Sequence, residues 1–168
     1  MSNGGTPASG QDLSVVPEKV RGVGNYEVSI RAAFAENELG ELASCRHEVN
    51  EFRSFGTLDL LVSWALHVDK IDTDRFRSAD DRRVWGGYDL VAAMSMRDFL
   101  AGCIDRLPEP LRAKVIAVAD TYDQRFLAVT VADDDGLMRR FTDGELSSAP
   151  WWWHRIPDRG PTFEELMK

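Results

Sequence analysis

Two long apolar stripes at helical spacing, separated by Pro108-Glu109-Pro110, restrict this chain more than any other feature. In the first, Met96, Phe99, Leu100, Cys103, Ile104 and Leu107 recur at short helical steps within 88–107. In the second, Leu111, Val115, Val118, Tyr122, Phe126 and Val129 line 109–131. Such spacing gathers apolar groups on one side of a helix, and that side must be buried. Proline cannot continue the first helix, since it lacks an N–H and its ring clashes with the preceding turn, yet it suits the opening turn of the second. The predicted result is an antiparallel helical hairpin.

Three further segments carry helical patterns. Within 57–71, Leu58, Leu61, Val62, Ala65, Leu66 and Val68 form a wide apolar face behind Thr57, a candidate N-cap. The stretch 25–36 has Val28, Ala32 and Ala35 near one face, and 41–52 has Leu42, Cys45, Val49 and Phe52 at similar steps. Residues 72–87 alternate in charge without an apolar period and are expected as a loop. Asp133-Asp134-Asp135-Gly136 carries turn chemistry, and Leu137 to Phe141 reads as a brief strand or helical turn. The C-terminal tail, beginning Trp151-Trp152-Trp153, ends in Thr162 and Glu165 at capping-box spacing. Together these predict an all-α bundle of about five helices, with the hairpin central and the aromatic tail packed on it.

At 168 residues the chain has the length of one domain. The glycine- and proline-rich stretch 1–24 is expected as a flexible N-terminal arm, and 25–168 as a single helical domain. The first 25 residues have neither a basic n-region nor an apolar run of signal-peptide length, and no 18-residue apolar run occurs, so a cytoplasmic location is expected. The two cysteines, Cys45 and Cys103, both read as buried thiols within helices.

Acidic side chains outnumber basic ones 28 to 20, for a net charge of −8. That balance disfavours nucleic acid and anionic membranes and suits a basic protein partner. No Gly-x-Ser-x-Gly elbow, phosphate-binding loop or dinucleotide fingerprint is present. The leading expectation is therefore a noncatalytic acidic binding protein, of the inhibitor or toxin-neutralising (immunity) type, that needs no cofactor. Its candidate partner-binding residues are Glu48 and Glu51, on an acidic helical face, and Trp151, Trp153 and Arg155. In an extended tail Trp151 and Trp153 would share one face, with Trp152 on the other.

The alternative is a metal-dependent enzyme or small-ligand binder with a site between helices. His47 and Glu51, four apart, would share a helix face and hold a divalent metal together with His67. The bland reading of the same residues is a solvated helix pair, with His67 at the rim of the core.

Overall fold

A computed structural model describes residues 18–168, with side chains from Asn25 onward. In order it contains α1 (Glu18–Arg31), α2 (Glu36–Ser44), β1 (Arg46–Asn50), β2 (Arg53–Gly56), α3 (Thr57–Asp74), α4 (Gly87–Arg106), α5 (Leu111–Ala128) and β3 (Thr130–Ala132). Two 3-10 turns, Leu137–Phe141 and Trp151–His154, precede β4 (Arg155–Pro157) and α6 (Pro161–Leu166). Helix dominates, and the strands form two antiparallel pairs, β1 with β2 and β3 with β4.

The centre of packing is α3 rather than the expected hairpin. It buries Leu60, Leu61, Trp64, Ala65, Val68 and Ile71, and it packs more extensively on α4, α1 and α5 than α4 packs on α5. The face predicted for 57–71 is wide enough to be covered from several directions, and each buried large apolar side chain contributes roughly 1.5–3 kcal/mol. The link 107–110 does separate α4 from α5, as the two prolines predict.

Helix starts follow a shared rule. Glu38, Asp59 and Asp89, each at the third helical position, accept a hydrogen bond from the backbone N–H of Ala35, Gly56 and Gly86 respectively. A carboxylate there also favours the positive end of the helix dipole. Thr57 is therefore not the cap of α3; its hydroxyl instead donates to the Cys45 carbonyl at 2.8 Å. Thr162 likewise forms no capping box, because it donates to the Trp85 carbonyl and fastens α6 to the loop before α4.

The largest correction concerns 41–52. The helix ends at Ser44, Cys45 is its C-cap, and 46–56 form a two-stranded hairpin. Val49 and Phe52, expected on an apolar helix face, are exposed. Of the expected arm, 1–17 lies outside the described residues, while 18–24 already belong to α1. The tail is packed as anticipated, but as a 3-10 turn rather than an extended segment.

The loop after α3 is built around Asp74, whose side chain is only 2% exposed. Lys70 pairs with it, Arg77 lies 3.2 Å away, and the Trp85 backbone N–H donates to it at 2.9 Å. Next to it, Arg75 grips Asp158 through Nε at 2.7 Å and Nη2 at 2.9 Å, tying the C-terminal tail to the end of α3.

Candidate partner-binding site

The β1–β2 hairpin stands on α4. His47 stacks on Phe99 of α4, with ring centroids 3.9 Å apart and planes 14° from parallel. The Arg106 guanidinium donates to the Arg46 carbonyl at 2.6 Å. Within the hairpin, Arg46 reaches Ser54 through Nε to Oγ at 2.8 Å and Nη2 to the carbonyl at 3.0 Å. The register shifts between Glu48 and Asn50, and the Asn50 side chain closes the turn by accepting from the Phe52 N–H at 2.9 Å. A rigid base thus carries a tip on which Glu48, Val49, Glu51 and Phe52 all face solvent, Phe52 being 90% exposed.

The electrostatic surroundings reinforce this. Lys70, Arg75, Arg77, Arg97, Lys114 and Arg125 are each paired with carboxylates of the chain itself. Among the described residues, Glu36, Glu41, Glu48, Glu51, Asp134 and Asp135 are exposed and make no ion pair. Arg53, next to Phe52, and Arg82 are exposed cations without an ion pair, but the unpaired acids outnumber the unpaired cations among the described residues, so the uncompensated surface charge is negative.

At the tail, the three tryptophans part company. Trp152 and Trp153 are buried, and both indole N–H groups donate to Asp98 of α4, at 2.8 Å for Trp152 and 2.9–3.0 Å for Trp153. Trp153 is therefore an anchor, not a surface for a partner, because the 3-10 geometry turns it into the core instead of leaving it beside Trp151. Trp151 remains 39% exposed, packed edge-to-face on Trp152 at 5.6 Å. Arg155 turns its guanidinium to the carbonyls of Leu127 and Thr130 and to the Thr130 hydroxyl. Trp151 and Arg155, with α5 residues including Asp120 and Gln124, line an open groove of about 580 Å³.

Comparison with protein families, curated proteins and solved structures finds no match for this chain.

The proposed metal ligands occupy dissimilar places. His47 lies in β1 and Glu51 in the hairpin turn, so the helix face they were to share does not exist. His67 lies on α3 beside the Trp85 ring at 5.3 Å, and its Nδ1 has no hydrogen-bond partner. Burial pushes its imidazole down to about 4, so it is neutral at pH 7. Among the described residues no group of three or more His, Cys, Asp or Glu side chains could hold a metal. No helix among them is long and apolar enough to cross a membrane.

Phe52 is the surface residue that the sequence reading missed, because its spacing from Val49 imitates a helical stripe. Asn50, a residue suited to turns, was the available signal. Asp98 also went unnoticed, since a single aspartate in a helix gives no hint of two indoles arriving from far along the chain.

Proposed function

We propose that this chain is a noncatalytic, cytoplasmic binding protein of the inhibitor or toxin-neutralising kind, which docks on a basic protein through its β-hairpin tip. The observation that carries the reading is Phe52, 90% exposed, on a hairpin that also exposes Glu48 and Glu51 and is held firmly to α4. A large exposed aromatic side chain is suited to fill a pocket at the centre of an interface, while carboxylates around it serve as a charged rim. The fitting partner surface is an apolar pocket ringed by lysine and arginine. Because the hairpin is anchored before binding, little ordering entropy is lost on docking. The excess of unpaired acids supports fast, salt-sensitive association with such a surface.

The test is capture from native cells with the tagged full-length chain at low and moderate salt, run in parallel with the double variant Glu48→Lys/Glu51→Lys and with Phe52→Ser. The expected result is a basic protein held in stoichiometric amount, released as salt rises, and absent from both variants. Retention of the same protein by both variants would exclude this surface.

A further inference from the structure

The groove between α5 and the tryptophan tail is lined by charged groups of both signs, Asp120 and Arg155. We infer that it is a binding site for a neutral saccharide of one or two rings. This inference stands on different residues from the hairpin reading and does not depend on it.

The groove offers a fixed aromatic platform. Trp151 is braced by Trp152 at 5.6 Å and by Phe126 at 6.1 Å, and it still keeps one part of its surface open. The tail that carries it is held on both sides, by the Asp98 carboxylate beneath Trp152 and Trp153 and by Arg155 on the carbonyls of Leu127 in α5 and Thr130 in β3. A ring so positioned needs no ordering when a ligand arrives. The C–H face of a sugar ring is flat and weakly apolar, which suits stacking on an indole.

Around this platform a mostly apolar lining is interrupted by a few polar side chains. Asp120 accepts from the Gln124 amide at 3.2 Å, and one His154 ring nitrogen lies 3.2 Å from the Ala149 carbonyl. Carboxylate, amide, imidazole and guanidinium together provide acceptors and donors in one groove, while Leu127 adds an apolar patch. Sugar hydroxyls both donate and accept, so they can be matched by such a set.

Charge decides between ligand classes. Asp123, at the floor, is neutralised by Arg97, leaving Asp120 as the exposed negative group in the lining. Arg155 makes no ion pair among the described residues and supplies a positive charge. An anionic ligand would meet Asp120, and a cationic one would meet Arg155. A neutral polyhydroxylated ligand can bond to both without repulsion. The volume of about 580 Å³ lies in the range of small-molecule sites, and the groove is open enough for a longer glycan to continue out of it.

The experiment is a proton–nitrogen correlation spectrum of the labelled full-length chain, titrated with maltose, cellobiose, lactose and diacetylchitobiose, and with the hexamers of glucose and N-acetylglucosamine. Arginine amide and citrate serve as charged probes. The Trp151 indole signal is identified among those of the five tryptophans by its loss in Trp151→Phe. At least one sugar is expected to shift the Trp151 indole and Gln124 amide signals saturably, leaving in place the indole of Trp85, which lies beside His67 and outside the groove lining. Gln124→Ala is expected to weaken that binding about three- to ten-fold with an unchanged melting temperature. Equal affinity for disaccharide and hexamer points to a free sugar, and a tighter hexamer to a polymer; either supports the site. Unmoved Trp151 and Gln124 signals across all the sugars, or a response to citrate or arginine amide alone, would overturn it.

Discussion

Arg97 of α4 and Asp123 of α5 meet inside the protein as a two-pronged ion pair, Nε to Oδ1 at 3.0 Å and Nη2 to Oδ2 at 2.7 Å. Both residues are 7% exposed. The Trp64 indole donates to the same carboxylate at 2.8 Å, and the guanidinium lies 4.3 Å from the centre of the Trp152 ring. One pair therefore links α3, α4, α5 and the tail. Removing one partner strands a buried charge, so Asp123→Ala is expected to cost about 3–5 kcal/mol in urea unfolding. Pairing it with Arg97→Met should recover part of that loss. A single-variant cost below about 1 kcal/mol would mean the pair is solvated in the native state.

His67 sets a pH dependence. Its folded imidazole is held at about 4 by burial, against 6.5 for the free side chain. The unfolded chain therefore binds a proton first as pH falls, and stability drops below about pH 6.5, with about 2 kcal/mol lost between about pH 7 and about pH 5. His67→Phe should flatten the loss, and an unchanged slope in denaturant midpoints against pH would assign it elsewhere.

Gly160 carries a conformational demand. Its φ is +87°, and a Cβ built there would stand 2.7 Å from the Arg75 carbonyl oxygen. Gly160→Ala is expected to cost at least about 1–3 kcal/mol from the backbone conformation, with added loss from displacing Arg75. At Gly144 a Cβ would meet nothing within 4 Å. Gly144→Ala should change the melting temperature little, and similar losses in both variants would contradict the contrast.

Phe52 and Phe126 form a matched comparison of exposure. Phe126 is buried against Trp64 at 5.2 Å, so Phe126→Ala should cost about 3–5 kcal/mol. Phe52→Ser at the exposed tip should stay within about 0.5 kcal/mol of the parent while abolishing partner capture. A destabilised Phe52→Ser would make that ring a structural element rather than a contact for another protein.

The three longest helical patterns, those of α3, α4 and α5, were legible because helical periodicity is a local property. Leu61, Val68, Leu100, Val115 and Phe126 need only their neighbours in sequence to define a face, and burial of that face follows. The prolines at 108 and 110 and the acidic residues at the helix starts are equally local signals. By itself the sequence determined a predominantly helical chain, the break between α4 and α5, and a negative surface. Tertiary structure decided the rest. Residues 46–56 became a hairpin because His47 can stack on Phe99 and Arg106 can grip the Arg46 carbonyl, contacts that span more than 50 residues. Asp98 drew Trp152 and Trp153 inward and left Trp151 at the surface, a choice that three identical adjacent side chains cannot express. Helical pattern requires only short-range geometry, whereas the exposure of a particular ring depends on a hydrogen-bond partner supplied from elsewhere in the fold.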